Sequence, residues 1–171
     1  APACGYDEVN ITIEKVRVHQ SANAGDNDAG WSELVLSPAR RVDLLTLQNG
    51  VVESLGELPL TAGSYSQMRL VLAENSHATP LANSVLPTGA DETALDTPSG
   101  QQSGLKIQLH NTTVSAGQVL DVVLDFDACR SVVEAGNSGH YKLKPVIQAI
   151  PLLTPAGQGV TGYVDPLIAL P

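Results

Sequence analysis

Charged residues interrupt the strand-like stretches of this chain, and they are the side chains whose placement could do chemistry. Arg69, Lys106, Asp125, Asp127 and Lys144 each stand beside apolar residues. Because successive side chains of a strand point to opposite faces, each charge lies on the face opposite its apolar neighbours. Buried charges are normally paired, so we predict a partly buried charge network that fixes strand register. Metal binding by the two aspartates and a Lys–Asp isopeptide bond are the alternatives.

A second group of carboxylates lies in a glycine-bounded loop, residues 25–30. Asp26, Asn27 and Asp28 show the oxygen-rich alternation of a calcium loop. The pattern lacks the glutamate that an EF-hand carries at its twelfth position, and Glu33 comes too early. We therefore predict a solvated polar turn and no cofactor, with calcium held by Asp26 and Asp28 as the alternative.

Motifs for catalysis, phosphate binding or a histidine metal centre are absent from the sequence. The four histidines are scattered and show neither HxH nor HExxH spacing. A GxSxG nucleophile elbow does not occur, and no glycine-rich stretch matches a phosphate-binding loop. We predict from this that the protein is not an enzyme.

Composition restricts the partners that the chain is suited to bind. The 171 residues carry a formal net charge of −9, whereas binding to nucleic acid requires clustered Lys and Arg. No segment approaches the roughly 18 uninterrupted apolar residues of a membrane span. Aromatic residues make up only 4% of a chain that is 43% hydrophobic, so the core must be built from Val, Leu, Ile and Ala. We predict no nucleic-acid partner and no transmembrane segment.

Two cysteines, Cys4 and Cys129, bear on the cellular compartment. They have no further cysteine or histidine at zinc-site spacing. We predict a disulfide between them, which would indicate an oxidising compartment and an extracellular or cell-surface location. Two free buried thiols are the alternative.

Short alternating stretches separated by glycine and proline predict an all-β fold. Residues 9–19 alternate apolar and polar but slip by one residue at Glu14 and Lys15, which predicts a bulged strand or two strands with a kink. Gln48-Asn49-Gly50 predicts a hairpin turn. Residues 73–102 read as a long irregular segment, and residues 129–135 as one helical turn. Further strands are predicted at 31–36, 42–47, 67–72, 105–110, 118–126 and 140–150.

The sum of these elements predicts an antiparallel β-sandwich of about seven to nine short strands, of prealbumin or immunoglobulin type. We place this domain at residues 1–154. Residues 155–171 are interpreted as a C-terminal extension, either a linker or a donated strand.

A series of motifs in fixed order resembles a known family. The chain resembles bacterial exported lipoproteins that carry domain of unknown function 4382. The resemblance implies a prealbumin-like β-sandwich on an exported protein, with a lipid anchor on the precursor, and it implies no reaction. The motifs that carry it are APA (1–3), YDEV (6–9), VRVH (16–19), GW (30–31), VDLL (42–45), GSYSQMRL (63–70), SGLK (103–106), LDFD (124–127) and LKPVI (143–147).

The same resemblance suggests how the protein could function. Members of the family usually begin with a further strand upstream of the residues where this chain starts, which would leave an incomplete sandwich with an open edge. Open edges accept added strands, so we predict self-association into a filament by strand donation. A calcium- or glycan-binding surface module, using residues 21–30 and 73–102, is the alternative. The apolar residues expected in the donated strand are Val160, Tyr163, Val164, Leu167 and Ile168.

Overall fold

Ten strands make up most of the fold. The structure is a computed structural model and describes residues 3–47 and 52–155. A four-residue helix α1 (Ala128–Ser131) and two 3₁₀ turns (Ala3–Gly5 and Leu44–Thr46) are its helical elements within those residues. The strands are β1 (Tyr6–His19), β2 (Ser32–Asp43), β3 (Gly63–Leu72), β4 (Ser84–Pro87), β5 (Thr93–Asp96), β6 (Leu105–Val114), β7 (Gln118–Phe126), β8 (Val132–Glu134), β9 (Tyr141–Leu143) and β10 (Ile147–Pro155).

Strand β1 organises the larger sheet because it changes partner along its length. It pairs with β2 on one side, and on the other side with β4 near its start and β3 near its end. The register shifts between Ile13 and Lys15 in both long ladders, so Glu14 is a bulge. The bulge predicted from the slip in alternation is therefore confirmed, within a single 14-residue strand.

The remaining strands extend this sheet in two directions. Its order is β6-β3-β1-β4-β5-β9-β8, with β2 also paired to β1, and β7 and β10 form a separate two-stranded ribbon. All of these pairs are antiparallel except β5–β9, which is parallel. The all-β prediction is confirmed. The described residues contain ten strands rather than seven to nine, because two short strands lie inside the segment predicted to be irregular.

Aliphatic side chains fill the core, as the shortage of aromatic residues requires. Alternate residues of β1, among them Val9, Ile11 and Ile13, are at most 4% exposed. Residues 65–72 of β3 are buried without alternation, because both faces of that strand are covered. The ribbon contributes partly buried apolar residues to the same core from one face, namely Leu120, Val122, Leu124, Phe126, Ile147 and Ala149.

A buried asparagine, Asn83, lies where β1 changes its neighbour between β3 and β4. Asn83 is 0% exposed, and its side-chain amide donates to the Ala73 carbonyl (2.7 Å) while its Oδ1 accepts from the Thr12 N–H (2.9 Å). The Asn83 N–H donates to Asn75 Oδ1 at 2.7 Å. Asn83 thereby satisfies backbone groups that the change from β3 to β4 would otherwise leave unpaired.

Three predictions about chain path need correction. Residues 73–102 contain β4 and β5, which are four residues each. The strand predicted at residues 42–47 ends at Asp43 and gives way to a 3₁₀ turn, and residues 52–61 form no strand. The strand predicted at 140–150 is split into β9 and β10 at Lys144–Val146, where Pro145 lacks an N–H. The Gln48–Gly50 hairpin turn and residues 156–171 lie outside the described residues.

Candidate functional site

The most heavily bonded charged side chain of the described residues is Arg69, in the middle of β3. Strands β1 and β6 flank β3 in the sheet, and Arg69 is 1% exposed. The β1–β2 loop, residues 20–31, lies over the face on which Arg69 projects. Burial of a guanidinium at this position requires that its N–H groups be paired, and the loop supplies two of the four hydrogen-bond partners.

Arg69 holds the β1–β2 loop through several hydrogen bonds. Its Nη2 donates to the Ala24 carbonyl (2.9 Å), and its Nη1 donates to the Ser103 carbonyl (3.0 Å) and to the Asp26 carboxylate. Its Nε donates to Gln67 Oε1 at 2.7 Å. The Arg69 guanidinium thus links β3, the β1–β2 loop and Ser103. Arg69 and these partners hold the loop on the sheet and are called the clamp.

Asp26 is the counter-charge of this clamp. Besides Arg69 it accepts a hydrogen bond from Ser103 Oγ at 2.9 Å. The hydrogen bond from Arg69, followed by the bond from Ser103, holds the pKa of the Asp26 carboxyl below its usual value, and the positive charges of Arg69 and Lys106 act in the same direction. In this structure the cation that contacts the Asp26 carboxylate is the guanidinium of Arg69.

The second carboxylate of that loop is also bonded within the protein. Asp28 Oδ2 accepts from the Gly25 N–H at 2.8 Å, and the Asp28 N–H donates to the Gly25 carbonyl at 3.2 Å. Asp26 and Asp28 therefore bond different groups. In residues 3–47 and 52–155, no cluster of three His, Cys, Asp or Glu side chains is placed to hold a metal ion. Calcium binding stays a prediction.

Trp31 packs against the cations of the clamp. The guanidinium carbons of Arg17 and Arg69 lie 4.3 Å and 4.9 Å from its ring centroid, within the range of cation–π attraction. Its Nε1 donates to the Gly25 carbonyl at 2.9 Å. Arg17 Nε also lies 2.9 Å from Glu33 Oε1, in an ion pair whose N–H is not aimed at the carboxylate for a hydrogen bond.

His19, at the end of β1, is fixed as a neutral ring by its two partners. The Ser21 N–H donates to Nδ1 at 2.8 Å, so that nitrogen accepts. Nε2 lies 2.8 Å from the Ala29 carbonyl and must therefore carry the proton. The ring also meets Trp31 edge to face, with centroids 5.0 Å apart. His19 acts here as part of the loop's support.

The predicted charge network is wrong for the second half of the chain. Lys106, Asp125 and Lys144 are exposed. Asp127 is half-buried and caps α1, where its Oδ1 accepts from the Arg130 N–H at 3.1 Å. Only Arg69 of the predicted group is buried, and its acidic partner is Asp26. Lys106 and Asp125 project from the exposed faces of β6 and β7, and Lys144 lies between β9 and β10.

The predicted disulfide is confirmed. Cys4 and Cys129 are bonded across 125 residues of sequence, with their Cα atoms 5.5 Å apart. The bond joins the turn before β1 to α1, which follows β7. Beside it, Tyr6 meets Tyr141 edge to face at 5.9 Å. Burial raises the pKa of Tyr6, and the neighbouring Tyr141 and Glu134 raise it further.

With this geometry established, comparison with known proteins assigns the family. A family described as a domain of unknown function, DUF4382, matches residues 1–145. The chain belongs to this family. No curated protein and no solved structure matches the chain. The roles of the clamp, the disulfide and the unpaired strand edges in this DUF4382 domain are therefore inferred from the chemistry of their residues.

A second polar cluster of the DUF4382 domain lies on β1, β2 and β4. Ser84, 0% exposed, donates to Glu92 Oε1 (2.5 Å) and accepts from Asn10 Nδ2 (3.2 Å) and Arg41 Nη2 (3.0 Å). Arg41 also pairs with Glu92 at 2.6 Å, and Asn10 donates to Glu8 at 3.0 Å. The Ser84 hydroxyl thus donates to the Glu92 carboxylate, which also pairs with Arg41. Together these contacts join β1, β2 and β4.

Sequence reasoning missed the residues that support the clamp in the DUF4382 domain. Gln67 was not selected, yet its Nε2 donates to the Ser21 carbonyl (3.1 Å) and lies 3.4 Å and 3.3 Å from those of Ala22 and Ala24. The signal was present, because Gln67 and Arg69 are polar residues two apart in a strand whose other residues are mostly apolar. The predicted donor residues Val160, Tyr163, Val164, Leu167 and Ile168 lie outside the described residues.

Proposed function

We propose that this protein is an exported, non-enzymatic module of the cell surface that associates with copies of itself by strand addition. The observation that carries the proposal is the β7–β10 ribbon. Its two strands pair with each other over nine residues, and neither pairs with any other strand of the described chain. Unpaired edges of this length are surfaces on which another strand can add.

The disulfide supports the exported location. Disulfides persist in oxidising compartments and are rare where cytosolic reductants act. Mass spectrometry without reductant, on protein taken from fractionated cells of the native host, should find the Cys4–Cys129 linkage in the exported fraction. A cytosolic protein with two alkylatable thiols would contradict this part of the proposal.

The clamp around Arg69 supports a structural rather than a catalytic role. Its charged groups bond one another and the backbone of the β1–β2 loop, and its histidine is held by two backbone partners. A catalytic group needs access to a substrate and a proton acceptor or donor within reach of it. Arg69, at 1% exposure, has no such access.

The proposal is tested by the assembly state of the purified full chain. Light scattering across a concentration series should show mass increasing with concentration, and electron microscopy should show filaments or elongated oligomers. A chain that stays monomeric at the highest soluble concentration would contradict self-association.

A glycan-binding module is a second candidate, favoured by a cleft of about 410 Å³ at the β5–β9 junction. The cleft brings Asn75 and Asp96, from the segment predicted to bind a glycan, beside His140 and Lys142. Carboxylate, amide and ammonium groups of this kind are suitable hydrogen-bond partners for sugar hydroxyls.

The second candidate is tested by glycan-array binding followed by calorimetry on any hit. The double variant Asp96→Asn with Lys142→Gln should lose binding, whereas Asp91→Asn with Lys106→Gln, at exposed positions away from the cleft, should retain it. Equal binding by both variants, or no hit on the array, would contradict the candidate.

A further inference from the structure

The open strand edges of this protein are not equivalent, and β2 is the most obstructed of them. In its ladder with β1, Ile13 pairs with Arg40 and Lys15 pairs with Val35, so residues 36–39 stand opposite a single residue. Pro38 lies within this irregular stretch and has no N–H to donate. Bulges and prolines of this kind protect an edge from added strands.

The edge of β10 is also a poor acceptor. Pro151 and Pro155 interrupt its supply of N–H donors. In addition β10 lies beside β6, so that its side away from β7 is next to another strand of the same chain. An incoming strand would have to compete for that space.

The outer edge of β7 has none of these protections. Its nine residues, Gln118–Phe126, contain no proline, and its ladder with β10 runs in register without a bulge. The even-numbered residues from Leu120 to Phe126 pack against the core, which fixes the ribbon flat on the domain with its edge directed sideways. Among the alternate residues, Val119 is 52% exposed and Asp125 is exposed, whereas Asp121 and Val123 are half-buried.

We propose that the β7 edge is the acceptor for residues 160–164 of a second copy of this chain. This inference rests on the proposed self-association and adds which edge accepts and which segment is donated. The segment Val-Thr-Gly-Tyr-Val is rich in β-branched and aromatic residues, which favour strands. In an extended strand, Val160 and Val164, four residues apart, would share a face, which matches the spacing of Val119 and Val123 on β7.

Charge and chain path both favour this donor. The outward face of β7 carries Asp121, which is half-buried, and Asp125, which is exposed, so an uncharged strand is a better partner than a second acidic one. Two β7 edges placed against each other would bring four aspartates together. The donor follows β10 in sequence after residues 156–159, which include two glycines, and β10 ends at Pro155 opposite Gln118. Four residues therefore separate the donor segment from the end of the ribbon.

A donor and an acceptor at different places on one chain make a heterologous contact. Each copy that accepts a strand still offers its own, so the contact repeats and produces a filament rather than a closed dimer. Symmetric pairing of two β7 edges would stop at two copies. Pairing of donor with acceptor thus predicts a filament, whereas pairing of two β7 edges predicts a dimer.

The experiment uses three full-length double variants. The acceptor variant is Val119→Lys with Val123→Lys, and the donor variant is Val160→Lys with Val164→Lys. The control is Val35→Lys with Val52→Lys, at positions that are 63% and 40% exposed away from the ribbon. Circular dichroism and melting confirm that each variant is folded. If the acceptor variant does not fold, Val119→Lys alone replaces it, because that side chain is already exposed.

Alone, the acceptor and donor variants should each associate about tenfold more weakly than the wild type, since cross-strand apolar pairs are replaced by charges. Mixed at equal concentration, they should form a 1:1 heterodimer that does not grow, because one retains only a donor and the other only an acceptor. The control should assemble like the wild type.

Different failures separate this inference from the proposed function. If the wild type associates and the acceptor variant associates equally well, strand addition at β7 is refuted while self-association stands. If the mixture forms no heterodimer, the donor–acceptor assignment is refuted. A wild type that is monomeric at every concentration overturns both, including the case in which residues 160–164 cover the β7 edge of their own domain.

Discussion

Strands β3 and β7 carry similar sequence patterns but stand in opposite environments. Each places charge in alternation with apolar residues: Arg69 in β3, and Asp121 and Asp125 in β7. Strand β3 lies between β1 and β6, and Arg69 is 1% exposed. Strand β7 pairs on one side only, and Asp125 is exposed.

The β1–β2 loop is what makes the difference. It lies over the polar face of β3 and offers the Ala24 carbonyl and the Asp26 carboxylate to Arg69, whereas the outer face of β7 has no such cover among the described residues. Alternation in a sequence states which residues share a face. Whether that face is buried depends on whether another segment of the chain covers it.

The Cys4–Cys129 bond ties the end of β7 to the start of β1, the strand beside β3, and its loss should have the largest effect. It links the turn before β1 to α1, directly after β7. We expect Cys4→Ser with Cys129→Ser to lower the free energy of unfolding by about 4 kcal/mol, since the bond closes a long loop in the unfolded chain. Chemical denaturation of the double variant and of the reduced wild type measures this. A change below about 1 kcal/mol in both would show that the regions do not depend on the bond.

Removal of Arg69 should come next. Arg69→Ala leaves a cavity and removes a donor from the Ala24 and Ser103 carbonyls, and we expect a loss of about 3 kcal/mol. This is near the lower end for a broken buried pair, because the Asp26 side chain is 44% exposed and remains solvated. Asp125→Ala, the matched change in β7, should cost less than about 0.5 kcal/mol. Urea unfolding of both variants checks the comparison, and similar losses would contradict it.

Substitution of Asn83 should lower the free energy of unfolding by an intermediate amount, through contacts made beside β3 and not at β7. Asn83→Ala removes an amide that serves the backbone of Thr12 and Ala73 in a site that is 0% exposed. Unsatisfied buried backbone groups cost about 1–3 kcal/mol, so we expect about 2 kcal/mol in urea unfolding. Asn137→Ala, in an exposed turn, serves as the control and should be nearly neutral.

Acid should weaken the clamp once the Asp26 carboxylate is protonated. The pKa of Asp26 is lowered in the folded protein, chiefly by the bond from Arg69, so its contribution to stability is complete above the unfolded value near 3.9 and is lost as pH falls through the folded pKa. Asp26→Asn should therefore flatten the acid limb of stability against pH. The fluorescence of Trp31, the only tryptophan, reports the change. An unchanged acid limb in the variant would show that Asp26 does not stabilise the loop.

The elements that could be predicted are those whose signal is local. The slip in alternation revealed the bulge at Glu14, and β7 was predicted at its observed bounds. Strands β4 and β5 were missed because four residues are too few to show alternation. The pairing of Arg69 with Asp26 could not be predicted, since it depends on the fold of a loop 43 residues away in sequence.

The disulfide also determines how the domain would carry tension. Force applied at residues 3 and 155 would pass through the Cys4–Cys129 bond, bypassing the chain between them. Strands β1 to β7 lie inside this closed loop, and only β8, β9 and β10 lie outside it. About 40 nm of extended chain would thus be shielded from stretching until the bond is reduced. If the protein assembles as proposed, a subunit under shear would lengthen through β8, β9 and β10, while β1 to β7 would stay within the closed loop.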